Sequence, residues 1–229
     1  MPFRLQGARI FCNFASGKSN KFITPNNNMK QIVLFFLCTY CSIANAQDIT
    51  SASDEVIDTL ANPVYDIYTF DNGDEYEGDV VDGLRDGRGT YKWHSGNKYA
   101  GQWRQNKKNG QGTAYSVNGD KYVGNWVNDL REGYGVMYFA DGRQYVGEWK
   151  NDIGNGKGEF SWPNGDKYNG YFVDGFREGE GTYYYNNGCK YSGSWKRDKF
   201  HGYGTFVDEN GKEESGYWED GVKISSNKQ

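Results

Sequence analysis

Residues 122–144 read YVGNWVNDLREGYGVMYFADGRQ, and this stretch decides the fold. Tyr122, Gly124 and Trp126 are two apart, so on an extended strand they share one face, while Val123 and Asn125 take the other. After a loop, Gly133, Gly135, Met137 and Phe139 resume the alternation. Two such strands make a β-hairpin in which rings on one strand face glycines on its neighbour, where the missing Cβ lets a large ring lie against backbone. Asp141-Gly142 follows, and Asp-Gly or Asn-Gly between alternating segments is a strong hairpin signal because both residues accept positive φ. The expectation is a tight turn at each such dipeptide and a longer loop, Val127–Glu132, inside the hairpin.

The stretch recurs with a 23-residue period through residues 73–221. One glycine returns at Gly73, Gly96, Gly119, Gly142, Gly165, Gly188 and Gly211, and a pair two apart from Gly87/Gly89 to Gly202/Gly204. Tyr76, Tyr99, Tyr122, Tyr145, Tyr168 and Tyr191 keep the same beat, as do Trp103, Trp126, Trp149, Phe172, Trp195 and Trp218. The fold class is therefore all-β: an elongated, single-layer antiparallel meander of tandem hairpin repeats over 68–221, with six full units and a half unit at each end. Each unit should advance about 10 Å, with stability accumulating from ring contacts between neighbouring units.

The ends read differently. Residues 1–46 hold no acidic residue, no repeat and three of the four cysteines. Met29-Lys30, an apolar run from Ile32 to Ile43, and Ala44-Asn45-Ala46 before Gln47 have the form of a secretory signal. The run is shorter than the ~20 residues of a membrane-spanning helix. Cleavage is expected near Ala46/Gln47, with export to a secreted, periplasmic or envelope location, and Met29 is expected to be the start, with 1–28 an upstream extension. An organellar transit peptide in 1–28 and an uncleaved anchor are the rival readings, and lipidation at Cys38 or Cys41 is disfavoured. Residues 47–67 read as an acidic linker or cap, and 222–229 as a tail. Five of the 26 basic residues and none of the 30 acidic ones lie in 1–46, so Gln47–Gln229 carries a net charge of −9. That sign argues against nucleic acid and against non-specific attraction to anionic surfaces. Only Cys189 remains after cleavage, so no disulfide framework is expected.

The pattern Tyr-x-Gly-x-Trp, a six-residue loop, Gly-x-Gly and Asn/Asp-Gly closely resembles the MORN (membrane occupation and recognition nexus) repeat family. One full match is Tyr99-Ala-Gly101-Gln-Trp103, Gly110-Gln-Gly112-Thr113 and Asn118-Gly119-Asp120-Lys121. Departures are mild: Val80 and Phe172 stand for Trp, Ala114 for an aromatic, and Glu214 for Tyr. The resemblance implies a non-catalytic binding module, with membrane-lipid contact in some members and protein contact or self-association in others.

Chemistry is sparse. His94 and His201 have no nucleophile motif beside them, and Cys189 follows an Asn-Gly turn at a position held elsewhere by Asp, Arg or Asn, so no catalytic residue is assigned. Asp71-Asn72-Gly73-Asp74-Glu75 lacks the spacing of a calcium loop, and turn chemistry accounts for it. No zinc spacing occurs; no metal, cofactor or small-molecule substrate is expected. Arg85, Lys108, Arg131 and Arg177 share one repeat position and form a candidate lipid head-group row at a sheet edge, though Gly154 and Phe200 interrupt it and acidic neighbours favour a solvated, screened edge. Tyr115, Tyr134, Tyr138, Tyr171, Tyr184 and Tyr203 fall off the structural pattern and are candidate binding-face aromatics. The leading expectation is an exported scaffold with a protein partner or self-association. Membrane lipid is the first alternative and a glycan or envelope polymer the second.

Overall fold

The computed structural model describes residues 62–226. The signal-type segment, residues 1–28, most of the linker and the last three residues of the tail lie outside the described residues. Fifteen strands run in chain order: β1 Val64–Thr69, β2 Glu75–Val81, β3 Leu84–Lys92, β4 Lys98–Arg104 and β5 Lys107–Tyr115. They continue as β6 Lys121–Val127, β7 Leu130–Tyr138, β8 Gln144–Lys150, β9 Ile153–Ser161 and β10 Lys167–Val173. The last five are β11 Phe176–Tyr184, β12 Lys190–Lys196, β13 Lys199–Val207, β14 Glu213–Glu219 and β15 Val222–Ser225. Every strand pairs antiparallel with its sequence neighbours in one open sheet, as the repeat requires. The sheet takes in Val64–Ile67 and Val222–Ser225, which sequence reading placed in linker and tail.

The two turn types are exchanged relative to expectation. The tight two-residue turns lie inside the units, where a longer loop was expected: Asp82-Gly83, Gln105-Asn106, Asn128-Asp129, Asn151-Asp152, Asp174-Gly175 and Arg197-Asp198 all have positive φ at both positions. Both-positive φ matches the twist of the flanking strands, which is why this turn closes a two-residue hairpin. The Asn-Gly and Asp-Gly dipeptides instead sit in five-residue connections where the glycine alone takes positive φ. In residues 116–120, for example, which hold Asn118-Gly119, Gly119 N–H donates to Ser116 O and Ser116 N–H to Asp120 O.

Gln105 and Arg197 hold left-handed backbone, at φ 47° and 46°, which costs a β-carbon-bearing residue about 1 kcal/mol. Gln105→Gly and Arg197→Gly should therefore each raise the unfolding free energy by about 0.5 kcal/mol, since that relief exceeds the entropy glycine brings. A urea midpoint that falls for both variants would contradict this.

A bulge follows the first glycine of nearly every hairpin, as between Gly124 and Trp126, and a bulged strand bends and twists locally. Tyr76, Tyr99, Tyr145, Tyr168 and Tyr191 have no exposed surface, and each phenol O–H donates to the carbonyl three residues on, as Tyr145 does to Glu148 O at 2.8 Å. Tyr99, Tyr122, Tyr145, Tyr168 and Tyr191 each also meet their own unit's tryptophan or phenylalanine and the next unit's edge-on, as Tyr122 lies 5.2 Å from both Trp126 and Trp149. Tyr76, whose unit has Val80 there, meets only Trp103 of the next. Trp149 Nε1–H in turn donates to Gly135 O of the preceding hairpin. The core is a column of perpendicular rings linking unit to unit, of the geometry aromatic quadrupoles favour.

Candidate binding face

The inner face of the sheet carries the ring column, and the proposed lipid row lies there too. Arg85, Lys108, Arg131 and Arg177 do not line an edge. Their cationic groups sit over Trp103, Trp126, Trp149 and Trp195 at 4.4, 4.1, 4.6 and 4.5 Å from the ring centroids. Lys108 and Arg131 are only 4% and 7% exposed. The tight turn of the next hairpin completes the arrangement: Arg131 Nε–H donates to Asp152 Oδ1 and its Nη2–H to Asp152 O, and Arg177 treats Asp198 the same way. Arg85 bonds Asn106 likewise, and the Lys108 backbone N–H donates to Asp129 Oδ1.

This latch explains the interruptions in the row. Where Gly154 replaces the cation, the next turn has Gly175 in place of the acceptor, and where Phe200 replaces it, the next turn has Gly221. The turn N–H still donates to the carbonyl of that position, Gly175 to Gly154 and Gly221 to Phe200, so the backbone link persists while the side-chain link vanishes at both ends together. Phe200 fills the space by stacking on Tyr191 at 3.7 Å. The acidic neighbours serve the same turns: the Asn151 N–H donates to Glu132 Oε2 and the Arg197 N–H to Glu178 Oε2. Arg131→Met, which keeps the stem and removes the charge, should lower stability by about 2 kcal/mol through the lost ring and turn contacts. A denaturation midpoint equal to the parent's would show the latch to be inert.

The other face is open. Tyr115, Tyr134, Tyr138, Tyr171, Tyr184 and Tyr203 all point there and are 40–59% exposed. The strand register sorts them into two lines that cross the strands. Tyr115, Tyr138 and Tyr184 lie near the five-residue connections, paired with Lys121, Gln144 and Lys190 respectively. Tyr134, Tyr171 and Tyr203 lie in the other line, with Tyr203 opposite Tyr217 at 5.3 Å between ring centroids. Between the lines runs a floor of small side chains: Thr90 pairs with Ala100, Ala100 with Thr113, Thr113 with Val123, and Val123 with Val136. A shallow cavity of about 580 Å³ opens on this face, lined in part by Tyr65, Arg88, Thr90 and Gln102.

Sequence reasoning missed the outward cations of this face, of which Lys98, Lys167 and Lys190 are exposed and Lys121 half-buried. Lys98, Lys121, Lys167 and Lys190 each immediately precede a buried tyrosine, so alternation alone sends them outward, and that was the signal available. At the opposite margin, beside the tight turns, aliphatic and basic pairs alternate: Val127 with Leu130 between Arg104 with Lys107 and Lys150 with Ile153.

The carboxylates of the presumed turn motifs are committed to turns. Burial opposes the charge of Asp74, yet the Tyr91 hydroxyl, the His94 N–H and the Asn72 amide hold its pKa below the ordinary range. Asp166 is held low in the same way by Tyr183, Asn186 and Asn164. Among the described residues no three His, Cys, Asp or Glu side chains gather as a metal cluster.

A single sheet of repeated hairpins, latched internally by rings and cations and open on one face, defines a tandem-repeat scaffold of the binding-module class. The model of the MORN repeat matches it six times, at residues 76–98, 99–121, 122–142, 145–167, 168–190 and 191–213, and the chain belongs to that family. No match is found among curated proteins. Among solved structures the chain is similar to the TCP domain of SAS-4 (dCPAP) of Drosophila melanogaster, in complex with a proline-rich motif of Ana2 (dSTIL). The identity is 13% over 76% of this chain and 97% of that one, with a TM-score of 0.40. The TCP10 domain of Danio rerio CPAP is similar at 12% identity over 70% and 86% of the two chains, with a TM-score of 0.25. These likenesses concern general β architecture only.

Proposed function

We propose that the protein is an exported, non-catalytic scaffold whose open sheet face binds a protein partner. The observation that carries this reading is the asymmetry of the sheet. One face holds the rings and cations that stabilise it, while the other exposes two lines of tyrosine around a floor of mostly small, uncharged side chains broken by Glu77 and Glu159, a composition typical of protein-binding surfaces. Self-association through the same face belongs to this reading, because a second copy is one such partner. Export is supported by the signal-type segment 29–46 alone, and amino-terminal sequencing of the exported protein should begin at Gln47.

The test is a triple variant, Tyr134→Ala/Tyr171→Ala/Tyr203→Ala, in the full chain. These rings are off the core, so circular dichroism and thermal midpoint should match the parent, while partner capture and any concentration-dependent oligomer are lost. Retention of both would sink the reading.

A membrane-surface role is the second reading, and one feature favours it: the alternating aliphatic and basic pairs at the tight-turn margin, where Val127, Leu130 and Val173 are 44%, 39% and 46% exposed. The placement of Arg85, Lys108, Arg131 and Arg177 lends it no support. Its measurement is co-sedimentation with anionic vesicles, compared between the parent and Leu130→Gln/Arg104→Gln. A glycan ligand would use the exposed tyrosines, and quenching of tyrosine fluorescence by soluble oligosaccharides would reveal it.

A further inference from the structure

The line of residues nearest the five-residue connections combines charge and rings in a regular order. Lys98 is paired with Tyr115, Tyr115 with Lys121 and Lys121 with Tyr138; further along, Lys167 is paired with Tyr184 and Tyr184 with Lys190. Cation and ring therefore alternate across successive strands in two strips. Lys121 Nζ lies 5.5 Å from the Tyr115 ring and 5.6 Å from the Tyr138 ring, so a single ammonium is held between two exposed rings.

These lysines have no internal counter-charge. Lys92, earlier in the same line, forms an ion pair with Glu75 at 3.0 Å. No ion pair forms at Lys98, Lys121, Lys167 or Lys190 among the described residues. Their register neighbours are rings, Lys92, Ser161 and Val207, none of them acidic. The strips are thus positive on a chain whose residues 47–229 carry −9, and that contrast selects an acidic ligand at the strips alone.

Spacing narrows the ligand further. Lysines two strands apart are separated by about 9.6 Å along the line, twice the interstrand distance. A polyproline-II segment repeats every three residues at about 9.3 Å, so an acidic residue at every third position returns to the same side in step with the lysines. An extended β-strand returns a side chain to one face about every 6.8 Å and falls out of step at once. A helix places its near neighbours about 5–6 Å apart. Polyproline-II segments also rest on exposed aromatic rings, and the small floor of Thr113, Val123 and Val136 leaves room beside them.

We propose that the two strips dock an extended, three-residues-per-turn segment of the partner with an acidic residue at every third position, lying across the strands. This rests on the open-face reading above and adds to it the chemistry and direction of the ligand.

The test uses the full-length protein and a labelled peptide of about six Glu-Pro-Pro triplets, read by fluorescence anisotropy at physiological salt. Two controls accompany it: a peptide of identical composition with the glutamates in one block, and the Gln-Pro-Pro analogue. The spaced acidic peptide should bind roughly tenfold or more tightly than either control. Lys98→Gln/Lys121→Gln should reduce its affinity about tenfold without moving the thermal midpoint. Equal affinity for the spaced and block peptides, or no effect of the lysine changes, would overturn the proposal; the first outcome would mean unselective polyanion attraction. Anionic vesicle binding that is lost in the lysine variant while the peptide is ignored would also overturn it, in favour of a membrane. If the lysine variant still captures a partner that the Tyr134/Tyr171/Tyr203 variant loses, the strip fails while the open-face reading stands. Retention of that partner by both variants fails the two together.

Discussion

Gly135→Ala is expected to unfold a large part of the sheet, lowering stability by about 4 kcal/mol or more, at the upper end of single substitutions. An alanine Cβ would lie 2.3 Å from the Tyr122 hydroxyl oxygen and 2.6 Å from its Cζ. Tyr122 has nowhere to go: it is 2% exposed, its O–H donates to Asn125 O, and its ring meets Trp126 and Trp149 edge-on. Displacing it breaks the column on both sides, which in a nearest-neighbour array disturbs two units rather than one. Gly83→Ala is the comparison. An added Cβ there meets nothing within 4 Å, and only the positive φ of 77° resists it, at about 1–2 kcal/mol. Chemical denaturation of the two variants should therefore differ severalfold in effect; equal effects would mean that the ring does not lie against Gly135.

The second large effect is alkaline unfolding. Burial pushes the phenol pKa values of Tyr99, Tyr122, Tyr145 and Tyr168 well above the ordinary value of 10.0, and that of Tyr76 up to about 12. A raised folded-state pKa means that the folded chain holds protons the unfolded chain releases. The stabilisation is complete below pH 10 and is lost as pH rises toward the folded values. Each phenol contributes a slope of about 1.4 kcal/mol per pH unit in that window, and four acting together contribute about 5. That exceeds a third of a typical domain's stability in one pH unit, so unfolding should be steep and should begin just above pH 10. Phenolate absorbance and loss of β-type circular dichroism should rise together, and Tyr145→Phe should shallow the step by one phenol. A native spectrum persisting to pH 12 would contradict the account.

Both effects trace to residues visible in the sequence, because period-2 alternation assigns Tyr122, Gly124 and Trp126 to one face whatever the rest of the chain does. The same alternation sends Tyr115, Tyr134, Tyr138, Tyr171, Tyr184 and Tyr203 outward, and the structure places all six there. The reading failed where a residue's environment depends on the neighbouring hairpin. Arg131 reads as a surface cation beside Glu132, but Trp149 and Asp152, which enclose it, arrive from the next unit through cross-strand register. The turns failed for a related reason. Asn-Gly accepts a tight turn, whereas Gln105-Asn106 and Arg197-Asp198 are forced into one by the strands and the bulge beside them, against local preference.

By itself the sequence determined the repeat, the all-β class, the sequential antiparallel order and the face of residues in the alternating segments such as Tyr122, Gly124 and Trp126, since these follow from a 23-residue period and a two-residue alternation that local chemistry dictates. Only the tertiary structure decided which connection is tight, that the cation row is sealed over tryptophans, and that the outward lysines and tyrosines line up across strands into strips. Those outcomes are set by bulges and by register between hairpins, which bring together residues about 20 positions apart whose spacing along the chain carries no mark of their contact.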